Sequence, residues 1–94
     1  MVRQDVNIMK IKIALLQITG TDRADDNLIK GTEYCRRAKA MDADIILFPE
    51  MFSCGYSIPE DIGRLKSMAV PAEGEFVRNF RKLAEELNTA VGIT

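Results

Sequence analysis

The sequence predicts an α/β fold with the element order β-α-β-α-α-β. Two short apolar runs, residues 13–16 and 45–48, are typical of buried strands, and an amphipathic helical pattern separates them. A second amphipathic helix precedes a third apolar run at residues 90–93. Because a strand, a helical crossover and a second strand normally form a right-handed parallel unit, we expect a parallel sheet with helices packed on it.

The first predicted strand covers about residues 10–18, which read KIKIALLQI. Its alternation gives way to a solidly apolar segment, as in a strand that is covered on both faces. Residues 1–8 show no periodicity, so we expect a flexible leader there. We expect one domain over residues 9–94, cut in its third strand by the end of the chain.

The first helix is predicted over about residues 22–41, after a turn with a capping residue at 19–22. Leu28, Cys35 and Ala38 share one helical face, which we expect to be buried. The second strand follows at residues 45–48.

A capping box predicts the start of a short second helix. Ser57 and Glu60 have the spacing of such a box, and Pro59 would lie in the first turn. Asn88 is a plausible stop for the third helix. The predicted core positions of that helix repeat at helical spacing and are Phe76, Phe80, Leu83, Ala84 and Leu87.

Composition excludes several classes of protein. The chain has 94 residues, 47% of them hydrophobic and 29% charged, with a net charge of -1 and both signs interspersed, so we expect no nucleic-acid partner. No apolar run approaches the roughly 18–20 residues that span a bilayer, so we expect no membrane partner and a cytoplasmic location. Cys35 and Cys54 have neither metal-ligand spacing nor the density of a disulfide-rich secreted scaffold, so we expect reduced thiols and no metal. We also expect no cofactor.

Glu50 is the strongest candidate for a catalytic residue. It directly follows the second apolar run, within residues 48–56, which read FPEMFSCGY. Parallel sheets build their active sites at the carboxyl ends of strands, where a carboxylate can act as a base. The alternative is an ordinary solvated carboxylate that ends a strand. The chain contains no His that could act with it.

Several segments, taken in order, resemble the start of a nitrilase-superfamily carbon-nitrogen hydrolase. The resemblance covers about residues 9–94, and its most specific part is the strand followed by F-P-E-x-F-x-x-G-Y. The segments that carry it are residues 10–17, Asn27, residues 43–52, Gly55 with Tyr56, and residues 91–93. The resemblance implies an α-β-β-α sandwich, of which this chain would be the N-terminal part, and a Glu-Lys-Cys catalytic set.

Glu50 matches the Glu of that set, while the Lys and the nucleophilic Cys follow later in the family pattern, beyond Thr94. The resemblance therefore implies that these 94 residues alone are inactive. In the implied mechanism, Glu50 accepts the proton of the Cys thiol, and the thiolate attacks a small amide, nitrile or carbamoyl substrate. The Lys ammonium would stabilise the developing negative charge, and water would release the acid from a thioester.

Two neighbours of Glu50 are weaker candidates. Tyr56 would shape a substrate-binding pocket, or would simply pack its ring with the hydroxyl in water. Cys54 could be a nucleophile, although the family pattern places its Cys elsewhere. Gly55 is expected to give the loop backbone freedom.

Two further hypotheses about function remain open. One is a non-catalytic interaction or assembly module; the other, less favoured by residues 48–56, is an unrelated small βαβ binding domain. The two long helices can cover only one face of a three-stranded sheet whose strands are apolar on both. We therefore expect a homo-oligomer, or a partner that covers the second face.

Overall fold

The computed structural model describes residues 10–55 and 60–94. The predicted α/β class and the element order β-α-β-α-α-β are confirmed. The elements are β1 (Ile13–Leu15), α1 (Ala24–Ala40), β2 (Ile45–Leu47), α2 (Ile62–Met68), α3 (Glu75–Leu87) and β3 (Ala90–Gly92). The predicted leader at residues 1–8 lies outside the described residues.

The three strands form one parallel sheet in the order β1-β2-β3, so the strand that precedes Glu50 is the central one. Strand β1 spans three residues, so the prediction of a strand over 10–18 was too long. At its start, the Lys12 N–H donates to the Asp44 carboxylate at 2.8 Å instead of joining the ladder. At the other end, Pro49 follows β2 closely and has no N–H to donate.

Helices α1 and α3 end in the same backbone conformation. At the end of α1, the Ala43 N–H donates to the Ala38 carbonyl at 3.1 Å, and Asp42 has a φ of 65°. At the end of α3, the Thr89 N–H donates to the Ala84 carbonyl at 3.0 Å, and Asn88 has a φ of 51°. A left-handed residue with such a closing bond is a Schellman stop. The prediction that Asn88 ends the third helix is confirmed.

The predicted capping box for α2 was wrong. The N-cap residue is Asp61, whose carboxylate accepts a hydrogen bond from the Gly63 N–H at 3.0 Å. The helix begins at Ile62, so Pro59 precedes it instead of lying in its first turn. Ser57 and Pro59 themselves lie outside the described residues. Asp is as strong a capping residue as Ser, and Asp61 was not among the caps predicted from the sequence.

Helices α1 and α3 pack on the same face of the sheet and form the core with it. The predicted burial of Cys35 and Ala38 is confirmed, and Leu28 is partly buried against them. The stripe on α3 is also confirmed, with Ala84 and Leu87 at its half-buried margin. The core cluster consists of Cys35, Ala38, Ala43, Ile46, Phe48, Phe52, Phe76, Phe80 and Leu83.

Gly31 allows helix α1 to lie close to two aromatic rings. A Cβ atom at this position would lie 2.7 Å from Cζ of Phe80 and 2.9 Å from Cε2 of Phe48. Those two rings meet edge to face, with centroids 5.1 Å apart. A side chain at Gly31 would therefore force the helix away from the sheet, which destabilises packed cores.

The opposite face of the sheet carries apolar side chains that the described residues do not cover. Leu15 is 67% exposed, Ile13 52% and Leu47 40%. These residues alternate along β1 and β2 with Ala14 and Ile46, which face the helices. The expectation that the two long helices cover one face only is therefore met within the described residues, and the uncovered one is called the open face below.

Candidate active site

Glu50 lies where the sequence places it, at the carboxyl end of the central strand. The Phe48 N–H donates to the Gly92 carbonyl at 2.9 Å, which extends the pairing of β2 with β3 to the residue before Pro49. The chain then makes a turn over residues 50–54, called the Glu50 turn. Met51 adopts a φ of 57°, and its carbonyl accepts the Gly55 N–H at 2.7 Å. The Glu50 side chain is exposed at the start of this turn.

Phe52 anchors the turn in the core. Its side chain is 1% exposed, and its ring centroid lies 4.8 Å from that of Phe48. Gly20, in the β1–α1 loop, comes so close that a Cβ atom there would lie 2.6 Å from the Phe52 carbonyl oxygen. Packing of Phe52 in the core, two residues after Glu50, therefore holds the turn in place.

The segment after β3 fixes one side of the turn. The Thr94 hydroxyl donates to the Pro49 carbonyl at 2.7 Å. The Thr94 carbonyl in turn accepts the Ser53 N–H at 3.3 Å. The backbone is thus bonded to this segment both before and after Glu50.

Asn27, on the first turn of α1, fixes the other side. Its side chain is 1% exposed. The Asn27 amide nitrogen donates to the Thr21 carbonyl at 2.7 Å and to the Ser53 carbonyl at 3.2 Å. The amide oxygen accepts the Thr21 N–H at 2.7 Å. A single buried amide therefore joins the β1–α1 loop to the Glu50 turn.

Asn27 is the site residue whose role reasoning from the sequence missed. In the sequence, Asn27 contributes only to the family resemblance, although it falls on the buried face of α1. A polar residue on the buried face of an amphipathic helix must have hydrogen-bond partners. That was the available signal, but the partners could not be named without the fold.

Gly55 closes the turn against the β1–α1 loop. It has a φ of 75°, and a Cβ atom there would lie 2.8 Å from the Thr21 carbonyl oxygen. A left-handed backbone conformation and this close approach both favour glycine. The expected need for backbone freedom at Gly55 is confirmed. Tyr56, the predicted substrate-binding residue, lies outside the described residues.

The two cysteines are free thiols, as predicted, and their environments differ. Cys35 is fully buried in the core, and burial raises the pKa of its thiol to about 11, so it stays protonated and inaccessible at neutral pH. Cys54 is half-buried in the Glu50 turn, where its thiol lies 3.7 Å from the Gly55 carbonyl. The turn therefore contains a candidate base and a thiol four residues apart.

A cavity of about 270 Å³ lies beside the turn. Its lining is mostly apolar, and its volume approaches that of small-molecule sites. Its lining includes Asp22, Ala24, Ser53, Cys54, residues 67–71 and Phe76, and does not include Glu50. Within residues 10–55 and 60–94, no group of three or more His, Cys, Asp or Glu side chains could hold a metal ion.

A parallel α/β layer that presents a carboxylate at the carboxyl end of its central strand is a common enzyme layout. The family model for carbon-nitrogen hydrolases matches residues 12–94. The chain therefore belongs to the carbon-nitrogen hydrolase family, and the resemblance inferred from the sequence is confirmed. None of the helices in the described ranges is long and apolar enough to cross a membrane.

Two curated relatives are similar to this chain. Both are from Mycobacterium tuberculosis and are named Hydrolase MT0498 (strain CDC 1551) and Hydrolase Rv0480c (strain H37Rv). Each is 32% identical over 82 residues, which is 86% of this chain. The chain spans 27% of the length of these relatives.

Proposed function

We propose that this protein hydrolyses non-peptide carbon-nitrogen bonds in small amides, nitriles or carbamoyl compounds, with Glu50 as the general base. Family membership supports the reaction class. The observation that carries the role of Glu50 is its position, exposed at the carboxyl end of the central strand, on a turn that is bonded to the rest of the fold on both sides. A base must be positioned before it can be effective.

In the proposed reaction, the Glu50 carboxylate takes the proton of a cysteine thiol while the sulfur attacks the substrate carbon. A lysine ammonium stabilises the negative charge that develops on the substrate. For an amide, the carbon-nitrogen bond then breaks, ammonia or an amine leaves with a proton, and water hydrolyses the thioester.

We propose that the lysine and the nucleophilic cysteine come from parts of the protein outside these 94 residues. Cys35 is unsuited to the nucleophilic role because it is buried and its pKa is raised to about 11. Since the proposed lysine and nucleophile would then both be missing, the isolated 94-residue chain should release no ammonia from such substrates. We also propose that those other parts close over the exposed Glu50 side chain, because a base works best where water is excluded.

The test is Glu50→Gln in the full-length protein, assayed for ammonia release from a panel of short amides, nitriles and carbamoyl compounds. The amide cannot accept the thiol proton, so we expect kcat/KM to fall by about 10²- to 10⁴-fold. Because Gln is isosteric with Glu, the fold should stay intact, and the melting temperature of the variant checks this. Glu85→Gln, at an exposed position on α3, is the matched control and should keep the wild-type rate. A Glu50→Gln protein with a near-wild-type rate would contradict the proposal.

A non-catalytic assembly role is the second candidate, and the open face favours it, because Ile13 and Leu15 are more than half exposed. The same substrate panel separates the two roles. Full-length protein without turnover on any of the substrates, but with concentration-dependent association, would favour assembly. For either role we propose a homo-oligomer in the cytoplasm.

A further inference from the structure

Resting on the proposed function, we infer that Asn27 is a positioning residue for catalysis: its buried amide sets the place of the Glu50 turn by joining it to the β1–α1 loop. Asn27 does not need to touch substrate. It acts through the Ser53 carbonyl, three residues after Glu50.

The hydrogen bonds of Asn27 fix the orientation of its amide. The nitrogen donates to the carbonyls of Thr21 and Ser53, while the oxygen accepts from the Thr21 N–H and from the Thr21 hydroxyl at 3.2 Å. An amide has two N–H donors and one oxygen, so both donors and the acceptor are used. A flipped amide would place NH₂ against an N–H donor, so one orientation is strongly preferred.

Burial makes these bonds hard to replace. The Asn27 side chain is 1% exposed, whereas Ser53 is half-buried and Thr21 exposed, so the amide itself is the buried part of this network. A Ser53 carbonyl that loses its donor in these half-buried surroundings is costly, and the turn would move to find another donor. On the opposite side, the turn stays bonded to Thr94, through Pro49 and the Ser53 N–H. Loss of Asn27 should therefore shift the turn while one side remains attached.

A small shift is enough to affect a proton transfer. A displacement of about 1 Å in a catalytic group can lower a rate by about 10²-fold. Because the hydrogen bonds end on the backbone next to the base, the effect should appear in kcat and leave substrate binding largely intact. A purely structural role predicts a different result, in which folded protein turns over at the wild-type rate.

The experiment is a double-mutant cycle in the full-length protein with two replacements of Asn27. Asn27→Asp keeps the acceptor for the Thr21 N–H and loses both donors, whereas Asn27→Ala removes the donors and the acceptor together. Asn79→Ala is the matched control, since the Asn79 amide donates to the Glu75 carbonyl at 2.7 Å on the exposed face of α3. Each change is made with Glu50 present and with Glu50→Gln, and kcat and KM are measured below the melting temperature of every variant.

We expect either replacement of Asn27 to lower kcat about 10- to 100-fold with KM within about twofold, when Glu50 is present. In the Glu50→Gln background the same change should alter kcat by less than about twofold, because the group being positioned is gone. The Asn79→Ala control should be near the wild type in both backgrounds.

Three outcomes would overturn the inference: a folded Asn27 variant with wild-type kcat, an equal loss of kcat in both backgrounds, or failure of both variants to fold, which would make Asn27 a stability residue. Failure of the proposed function has a separate signature. In that case Glu50→Gln alone keeps the wild-type rate, whatever the Asn27 variants do.

Discussion

Both faces of the sheet carry apolar side chains, but one face is buried against the helices and the other is exposed. On the face toward the helices, Ile46 is completely buried. On the open face, Leu15 and Leu47, which are paired in register, are 67% and 40% exposed. Strands that are apolar on both faces are typical of a sheet with a layer on each side. The difference shows that these strands suit a second layer that the described residues do not provide.

This difference between the two faces has a large effect on folding stability. Burial of a Leu or Ile side chain contributes about 1.5–3 kcal/mol, against a total stability of about 5–15 kcal/mol for a typical domain. Several side chains of the open face remain largely in water. The stability of the isolated chain should therefore come almost entirely from the helix-covered face.

The largest expected effect is on that covered face. In the isolated chain, Ile46→Ala should lower the free energy of unfolding by about 2–5 kcal/mol, because it leaves a cavity between the sheet and the helices. Leu15→Ala, at an exposed position, should change it by no more than about 0.5 kcal/mol. Urea denaturation of both variants, at concentrations low enough to keep the chain monomeric, measures the difference. Equal losses would show that the open face is already covered.

The next expected effect is on self-association. We predict that the isolated chain associates in a concentration-dependent way and that Leu15→Thr with Leu47→Thr weakens this, because both changes remove apolar surface from the open face. Sedimentation over at least a tenfold concentration range measures it. The control is Ile29→Thr, since Ile29 is 71% exposed but lies on α1. A compact wild-type monomer at every concentration, with no dye-binding surface, would contradict the prediction.

The smallest expected effect concerns Cys35, on the covered side. Burial raises the pKa of its thiol to about 11 from 9.0, with Arg36 partly opposing the shift. The unfolded chain should therefore lose this proton first, so the stabilising contribution is present below pH 9 and is lost as the pH rises toward about 11. Unfolding free energies measured across this range should fall more steeply for the wild type than for Cys35→Ala. Cys54→Ala is the control, and parallel curves for all three proteins would show that Cys35 is not shielded.

Much of this fold follows from periodicity. The element order was predictable because each helix has one apolar stripe and each strand is a short apolar run bounded by turn residues. The length of β1 was not predictable, because the apolar or alternating pattern of residues 10–18 continues beyond the three residues of the strand. At the start of β1, the Lys12 N–H bonds to the Asp44 side chain, and a contact so distant in sequence leaves no local pattern.

The site was only partly predictable. The position of Glu50 at the carboxyl end of a strand could be predicted from the apolar run that precedes it, but the central place of that strand in the sheet could not. The hydrogen bonds that hold the turn could not be predicted, because Asn27 and Thr94 are distant in sequence from Ser53 and meet it only in the folded chain. Whether Glu50 is the base, and whether Tyr56 contacts substrate, stay predictions.

The ends of α1 and α3 limit where residues can be inserted into or deleted from this chain. After Asp42 and after Asn88, the next strand begins within three residues, so each stop sets which side chains of that strand face the helices. One extra codon between Asp42 and Ile45 would reverse the alternation of β2, turning Ile46 away from the helices and Leu47 toward them. Substitutions at these junctions are tolerable in principle, whereas single-residue insertions and deletions should be selected against.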